Sequence, residues 1–222
     1  MSDELKTMTE ELRKRGYEVN DPWDVVSIFE EEIAKYAGSK YAVSVDNCTD
    51  ALFLCLKYLK ADKDVTLPKR TYMSVPSTVI AAGCKVKFED IDWTGTYKLD
   101  PYPVVDGATR FTEGMYEKGT YHCLSFHMRK ILPIGKGGMI LTDDEDARDW
   151  FILARYSGRD ITVPFNQMPE PKVLGWNMYM TPEQAAKGLR LFYETPDFNK
   201  DMASSSDYPD ISNYSVYKNG EK

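Results

Sequence analysis

Two spacings of apolar residues alternate along this chain, a helical one of three to four positions and a strand one of two, and their succession predicts its elements. Leu5, Met8 and Leu12 stand at helical spacing among charges and predict a short amphipathic helix. A stronger helix follows: Asp21 is placed to cap it, Pro22 suits its first position, Val25, Val26, Phe29, Ile33 and Tyr36 share a face, and Gly38 ends it. "KYAVSVDN" reads as a strand and "TDALFLCLKYLK" as a helix with Leu52, Leu56 and Leu59 on its apolar face, which makes a strand, turn, helix unit. "DVTLP", "KVKFEDID", "YPVVD" and "TYHCLSF" predict short strands, with a Pro-containing helix over 73–82 between the first two. "GGMILTD" adds a strand, and "DEDARDWFILARY" a helix capped by Asp143 or Asp144. Strands alternating with helices predict an α/β fold with a largely parallel sheet, in which ligands bind beyond the carboxyl ends of the strands.

Beyond Tyr156 the periodicity stops. "SGRDITVPFNQMPEPKVLGWNMYM" reads as a long loop, and long loops in compact domains are often functional. "TPEQAAKGLRLF" restores a helix, with Thr181 as cap, Pro182 in the first turn and Gln184 completing a capping box. The expected division is a body over 1–195, its first 20 residues a helical extension, and an irregular, partly ordered tail over 196–222.

Composition narrows the function classes. A formal charge of -7 and the lack of a long Lys/Arg cluster argue against a nucleic-acid partner. The start is charged from its third residue and no run approaches membrane length, so a soluble cytoplasmic protein is expected. Cys48, Cys55, Cys84 and Cys123 lie in apolar segments without a CxxC spacing, which reads as core thiols in a reducing compartment. Two histidines, His122 and His127, are too few for a histidine metal cluster, and no metal is expected.

Several residues carry candidate chemistry. In "VDNCTDALFL" a helix starts directly after a strand, so the free N–H groups near Cys48, Thr49 and Asp50 leave the sheet edge with the positive end of the helix dipole. That suits a phosphate, although Asn47 or Thr49 acting as a simple cap is the reading the pattern alone favours. Asp50 would repel an anion if its carboxylate faced the site. Asp106 ends the apolar strand of "PVVDGATRF", either as a turn residue or as a carboxylate at the ligand edge. Lys130, in "TYHCLSFHMRK", is either a snorkelling surface side chain or an amine available to form a Schiff base. His127 reads as a packing residue or a local hydrogen-bond donor.

In chain order these signals run helix N-terminus, aromatic turn, Asp, then Ser and Lys. That order and spacing resemble the DegT/StrS-type sugar aminotransferases, a fold-type-I family that uses pyridoxal phosphate. The match runs through "FEEEIAKYAGSKYAVSVDNCTDAL", "TLPKRTYMSVPSTVIAAGCKVKFEDID", "VVDGATRF", "SFHMRKILPIGKGGMILTDDEDARDWFILARYSGRD" and "LGWNMYMTPEQAAKGL". The SFHxxK segment followed by GG and a TxD strand end is its most specific part. The resemblance implies a three-layer α/β/α architecture with a mainly parallel sheet, like the large domain of these transferases. It makes Lys130 the Schiff-base lysine and proton shuttle, and Asp106 the contact that keeps the pyridine nitrogen protonated. It makes Tyr72 the residue stacked on the ring, Thr49 and Ser125 phosphate contacts with Cys48 and Asp50 beside them, and Asn177 the residue that reaches the phosphate of a partner subunit. A homodimer with shared sites follows.

The departures are specific. Cys48 stands where the family has Gly, Asp50 where it has a small residue, Thr109 where a Gln holds the cofactor's phenolic oxygen, and Tyr179 where it has Arg. A strand and helix usual between "FEDIDWTGTYKLD" and "PYPVVD" are expected to be missing, as is the family's C-terminal small domain. The implied activity is ping-pong transfer of an amino group from a donor such as glutamate to a keto-sugar carried on a nucleotide. The alternative is a catalytically weak or inactive cofactor-binding or regulatory protein of the same fold. A dehydratase branch carries histidine at the lysine position, so Lys130 argues against that branch.

Overall fold

The computed structural model describes residues 1–218; the last four positions of the expected tail, 219–222, lie outside them. The helix expected at the start is α1, Asp3–Lys14, which buries Leu5, Met8 and Leu12. α2 spans Pro22–Ala37, where Asp21 and Asp24 form a capping box and Gly38 closes the helix at φ +85°, a conformation that suits a residue without Cβ. β1 is Tyr41–Val45, α3 Cys48–Tyr58, β2 Val65–Pro68, α4 Ser74–Ala81 and β3 Val86–Glu89. β4, Tyr97–Lys98, has two residues and no counterpart in the sequence reading. β5 is Val104–Asp106, β6 Tyr121–Ser125, β7 Gly138–Thr142, α5 Glu145–Ala154, α6 Pro182–Phe192 and α7 Ser215–Lys218. Asp144, rather than Asp143, caps α5, and the Thr181–Gln184 capping box starts α6 as expected.

The main sheet runs β1-β7-β6-β5-β4, with β2 and β3 as a separate parallel pair. β1, β5 and β6 point the same way, as an α/β fold requires, while β7 and β4 run against them, so the sheet is mixed. Period-two alternation sends Val43, Val45, Tyr121, Cys123 and Ile140 into one apolar cluster with α3, α4 and α5. Ala42, Leu124, Met139 and Leu141 enter a second cluster, on the opposite face, with α1, α2 and α6. This gives three layers. All four cysteines are buried free thiols. Among the described residues no helix is long and apolar enough to cross a membrane.

One difference from expectation bears on function. The tail is irregular but not loose: Ile211 is fully buried, and backbone amides of Met202, Ser205 and Ile211 donate to the body of the fold. Its lack of periodicity hid this, because these three bonds go to distant backbone.

Candidate functional site

The carboxyl ends of β1, β5 and β6 open on one cavity of about 460 Å³, within the range of small-molecule sites. Asp106 ends β5 and is buried at its floor. Its Oδ2 accepts from the Tyr97 hydroxyl at 2.6 Å and its Oδ1 from the Ala108 amide at 2.9 Å. Since Tyr97 gives its proton to Asp106, the buried Thr71 hydroxyl beside it donates to Tyr97. Burial pushes the Asp106 carboxyl above the usual carboxylate range, while the Tyr97 and Ala108 bonds and the Lys130 charge pull it back.

The phosphate-suited edge is the start of α3. Asn47 is the cap, accepting from the Asp50 amide at 2.9 Å. The preceding amides of Cys48 and Thr49 lie at the positive end of the helix dipole, and both residues line the cavity. The Thr49 and Ser74 hydroxyls meet at 2.8 Å. Gly138, the last glycine of "GKGG", explains how α3 comes so close to the sheet: a Cβ there would stand 2.4 Å from the Asn47 carbonyl carbon and 2.6 Å from the Cys48 amide nitrogen. The Cys48 thiol lies 4.0 Å from Asp106 Oδ1, and burial pushes it well above its ordinary pKa.

Lys130 sits at the turn of the β6–β7 connection. Phe126 and Gly137 continue the strand pairing (2.8 Å), Lys130 donates its amide to the His127 carbonyl (2.8 Å), and Phe126, Leu132 and Ile134 are buried on the far side of the sheet. An anchored loop of this kind holds a side chain in one place. Lys130 lines the cavity with Ser125 at the end of β6, Tyr72 from the turn before α4, and Thr109, whose hydroxyl is committed to the Gly95 carbonyl at 2.9 Å.

Cys48, Thr49, Tyr72, Asp106, Thr109, Ser125 and Lys130 are thus brought together. Asp50 is not: its carboxylate accepts from the Asn47 amide group at 2.8 Å, and it lines a neighbouring hollow with Thr49 and Tyr72. Asn177 is exposed, in backbone pairing with Tyr156, and does not line its own chain's cavity. His127, also exposed, accepts from the Arg129 amide through Nδ1 instead of donating. Sequence reasoning missed Thr71, Trp93, Tyr97 and Tyr208, all of which line the cavity. The alternation of "TYKLD" against "PVVD" carried a weak signal for Tyr97; nothing local pointed to Tyr208.

The sequence model of the DegT/DnrJ/EryC1/StrS aminotransferase family matches residues 3–116 and 107–204. The chain belongs to this family. The spore coat polysaccharide biosynthesis protein SpsC of Bacillus subtilis is 28% identical over 251 aligned positions, covering 89% of this chain and 63% of that relative. GDP-perosamine synthase of Caulobacter vibrioides is 28% identical, covering 72% and 54% respectively. The crystal structure of the sugar aminotransferase CalS13 from Micromonospora echinospora superposes with a TM-score of 0.65 at 17% identity, covering 87% of this chain and 66% of that one. The architecture is therefore that of the fold-type-I pyridoxal phosphate transferases, and the chain spans less than two thirds of these proteins' length.

Members of this family depend on pyridoxal phosphate, and the cavity's donors fit such a group. A helix start offers hydroxyls and amides to an anion. Asp106, a buried carboxylate with no salt bridge among the described residues, is suited to a cationic ring nitrogen, and Lys130 supplies a primary amine in the same space.

Proposed function

We propose that this member of the DegT/DnrJ/EryC1/StrS aminotransferase family binds pyridoxal phosphate in the cavity and transfers an amino group to a nucleotide-linked keto-sugar. The observation that carries the reading is the convergence of Lys130, Asp106 and the α3 N-terminus on one cavity. When bound, the group supplies an electron sink for the substrate carbon that loses its proton. Thr49, Ser125 and the first amides of α3 hold its phosphate, and Tyr72 covers its ring. Asp106 holds a proton at the ring nitrogen, its charge favoured by the Tyr97 bond. Lys130 would hold the group through its primary amine and, when that amine is free, would move the substrate proton as base and then acid.

The exposed Arg129 at the cavity mouth suits the anionic part of a donor such as glutamate or of a nucleotide. The nucleotide-sugar class is supported by relatives named GDP-perosamine synthase and UDP-2-acetamido-2-deoxy-3-oxo-D-glucuronate aminotransferase. Exposed Asn177 supports a homodimer in which each chain completes its partner's phosphate site. The test is borohydride reduction of the full chain incubated with pyridoxal phosphate, followed by peptide mass analysis. A pyridoxyl label on Lys130, and a visible band bleached by glutamate before reduction, are expected. A label elsewhere, or none, overturns the assignment.

A further inference from the structure

The segment after α6 runs back across the carboxyl edge of the sheet. The Met202 amide donates to the Thr109 carbonyl at 2.9 Å, the Gly95 amide to the Ala203 carbonyl at 3.0 Å, and the Ser205 amide to the Trp93 carbonyl at 2.9 Å. Thr109, Gly95 and Trp93 all line the cavity, so the segment is bonded directly behind its wall. Arg110 clamps Asp201 with two bonds, of 2.8 and 2.6 Å, and the Ile211 amide donates to the Lys69 carbonyl at 3.0 Å. Gly95 is required here, since a Cβ would stand 2.4 Å from the Asp201 carboxylate.

Fixing irregular backbone costs conformational entropy at every residue, so a strap this heavily bonded holds something in place. What it delivers is Tyr208. The ring packs on Trp93 with centroids 5.4 Å apart, and Tyr208 lines the same cavity as Lys130 and Asp106. Asp106 and Tyr72 both act electrostatically on its hydroxyl, which burial raises above its ordinary pKa. A tail that merely covered surface would need no aromatic side chain turned to the cavity.

We infer that residues 201–211 belong to the binding site, and that Tyr208, backed by Trp93, is a wall for the planar ring of a phosphorylated pyridine ligand. This rests on the reading of the cavity as a pyridoxal phosphate site. Aromatic contact of this kind is worth up to about tenfold in affinity.

Binding of pyridoxal phosphate to the full chain is followed by absorbance in wild type, Tyr208→Phe, Tyr208→Leu, Arg110→Gln and the Arg110→Gln/Tyr208→Leu double variant. Thermal melting of each cofactor-free protein separates folding from binding. Tyr208→Phe is expected to bind like wild type and Tyr208→Leu about tenfold more weakly, with an altered absorbance band. Arg110→Gln should weaken binding alone but add nothing in the Tyr208→Leu background, because the clamp acts through that ring. Wild-type affinity in Tyr208→Leu, or additive losses in the double variant, would overturn this inference alone. Failure of wild type to bind overturns the cofactor reading and this inference with it.

Discussion

Tyr97 stands directly opposite Asp106 in the β4–β5 register, and its hydroxyl donates to the Asp106 carboxylate at 2.6 Å with both residues buried. The bond favours the charged form of a group whose burial opposes it. In Tyr97→Phe that restraint is lost and the Asp106 pKa rises further. The acid limb of pyridoxal phosphate binding should move to higher pH, read by absorbance titration. Stability in urea should fall by about 1–2 kcal/mol, since the Thr71 hydroxyl loses its acceptor.

Gly138→Ala places a methyl group against the backbone where α3 begins. Backbone cannot swing aside as a long side chain can, so overpacking should cost about 1–3 kcal/mol. Because the displaced part is the anion-binding end, inorganic phosphate or pyridoxal phosphate affinity should fall with it. A variant that keeps wild-type affinity, by equilibrium dialysis, would show that the close approach does not shape the anion site.

His122 is buried on β6 with neither ring nitrogen hydrogen-bonded among the described residues, and burial lowers its pKa to about 4. The unfolded chain, with a pKa near 6.5, takes up the proton first, so this residue lowers stability as pH falls from about 6.5 to 4. The contribution is roughly 3 kcal/mol at the acid end. His122→Leu should flatten that part of the pH–stability curve measured by urea unfolding, while leaving neutral-pH stability similar or higher.

Arg155, after α5, bonds the Glu30 carboxylate and donates to the Ser44 carbonyl at 2.7 Å, while Ser44 donates its amide and hydroxyl to Glu30 at 2.8 and 2.6 Å. The network ties α2, β1 and α5 together. Arg155→Met leaves Glu30 buried without its cation and should cost about 3–5 kcal/mol, whereas Arg155→Met with Glu30→Gln should recover much of the loss.

Asn177 is exposed, and its proposed role needs two chains to associate. Pyridoxal phosphate affinity should fall on dilution through the dimer dissociation range, and Asn177→Ala should weaken it without changing the sedimentation behaviour. A protein that is monomeric at micromolar concentration and retains its cofactor would remove this role.

The sequence disclosed whatever depended on local rules. Asp21, Thr181 and Gly38 announce helix ends by their own chemistry, and the run from Ser125 to Gly138 carries Lys130 in a recognisable order. Tyr97 was hidden because its role comes from register across a two-residue strand, where alternation has no length to register as a pattern. Tyr208 was hidden because the strap's conformation is set by partners a hundred residues away in the chain, such as Asp92 for Ser205. Whether Asp50 lines the cavity could not be read from its place in the first turn of α3, since the Asn47 amide decides where its carboxylate lies.

The two apolar clusters on opposite faces of the sheet divide the labour of this fold unevenly. Asp106, Thr49, Cys48, Tyr97 and Tyr208 all stand on the face shared with α3, so the α1–α2–α6 face can accumulate change without contacting them. Lys130 breaks the division: its loop is footed on Phe126, Leu132 and Ile134, which belong to the other face. There Phe126 leans on Phe29 at 5.7 Å between centroids, and a Cβ on Gly188 would strike both Phe29 and Ile134. Random mutagenesis of the α2–α6 contact should therefore yield variants that keep the anion site and the acid chain but misplace the amine, a class of lesion that no survey confined to cavity-lining residues would find.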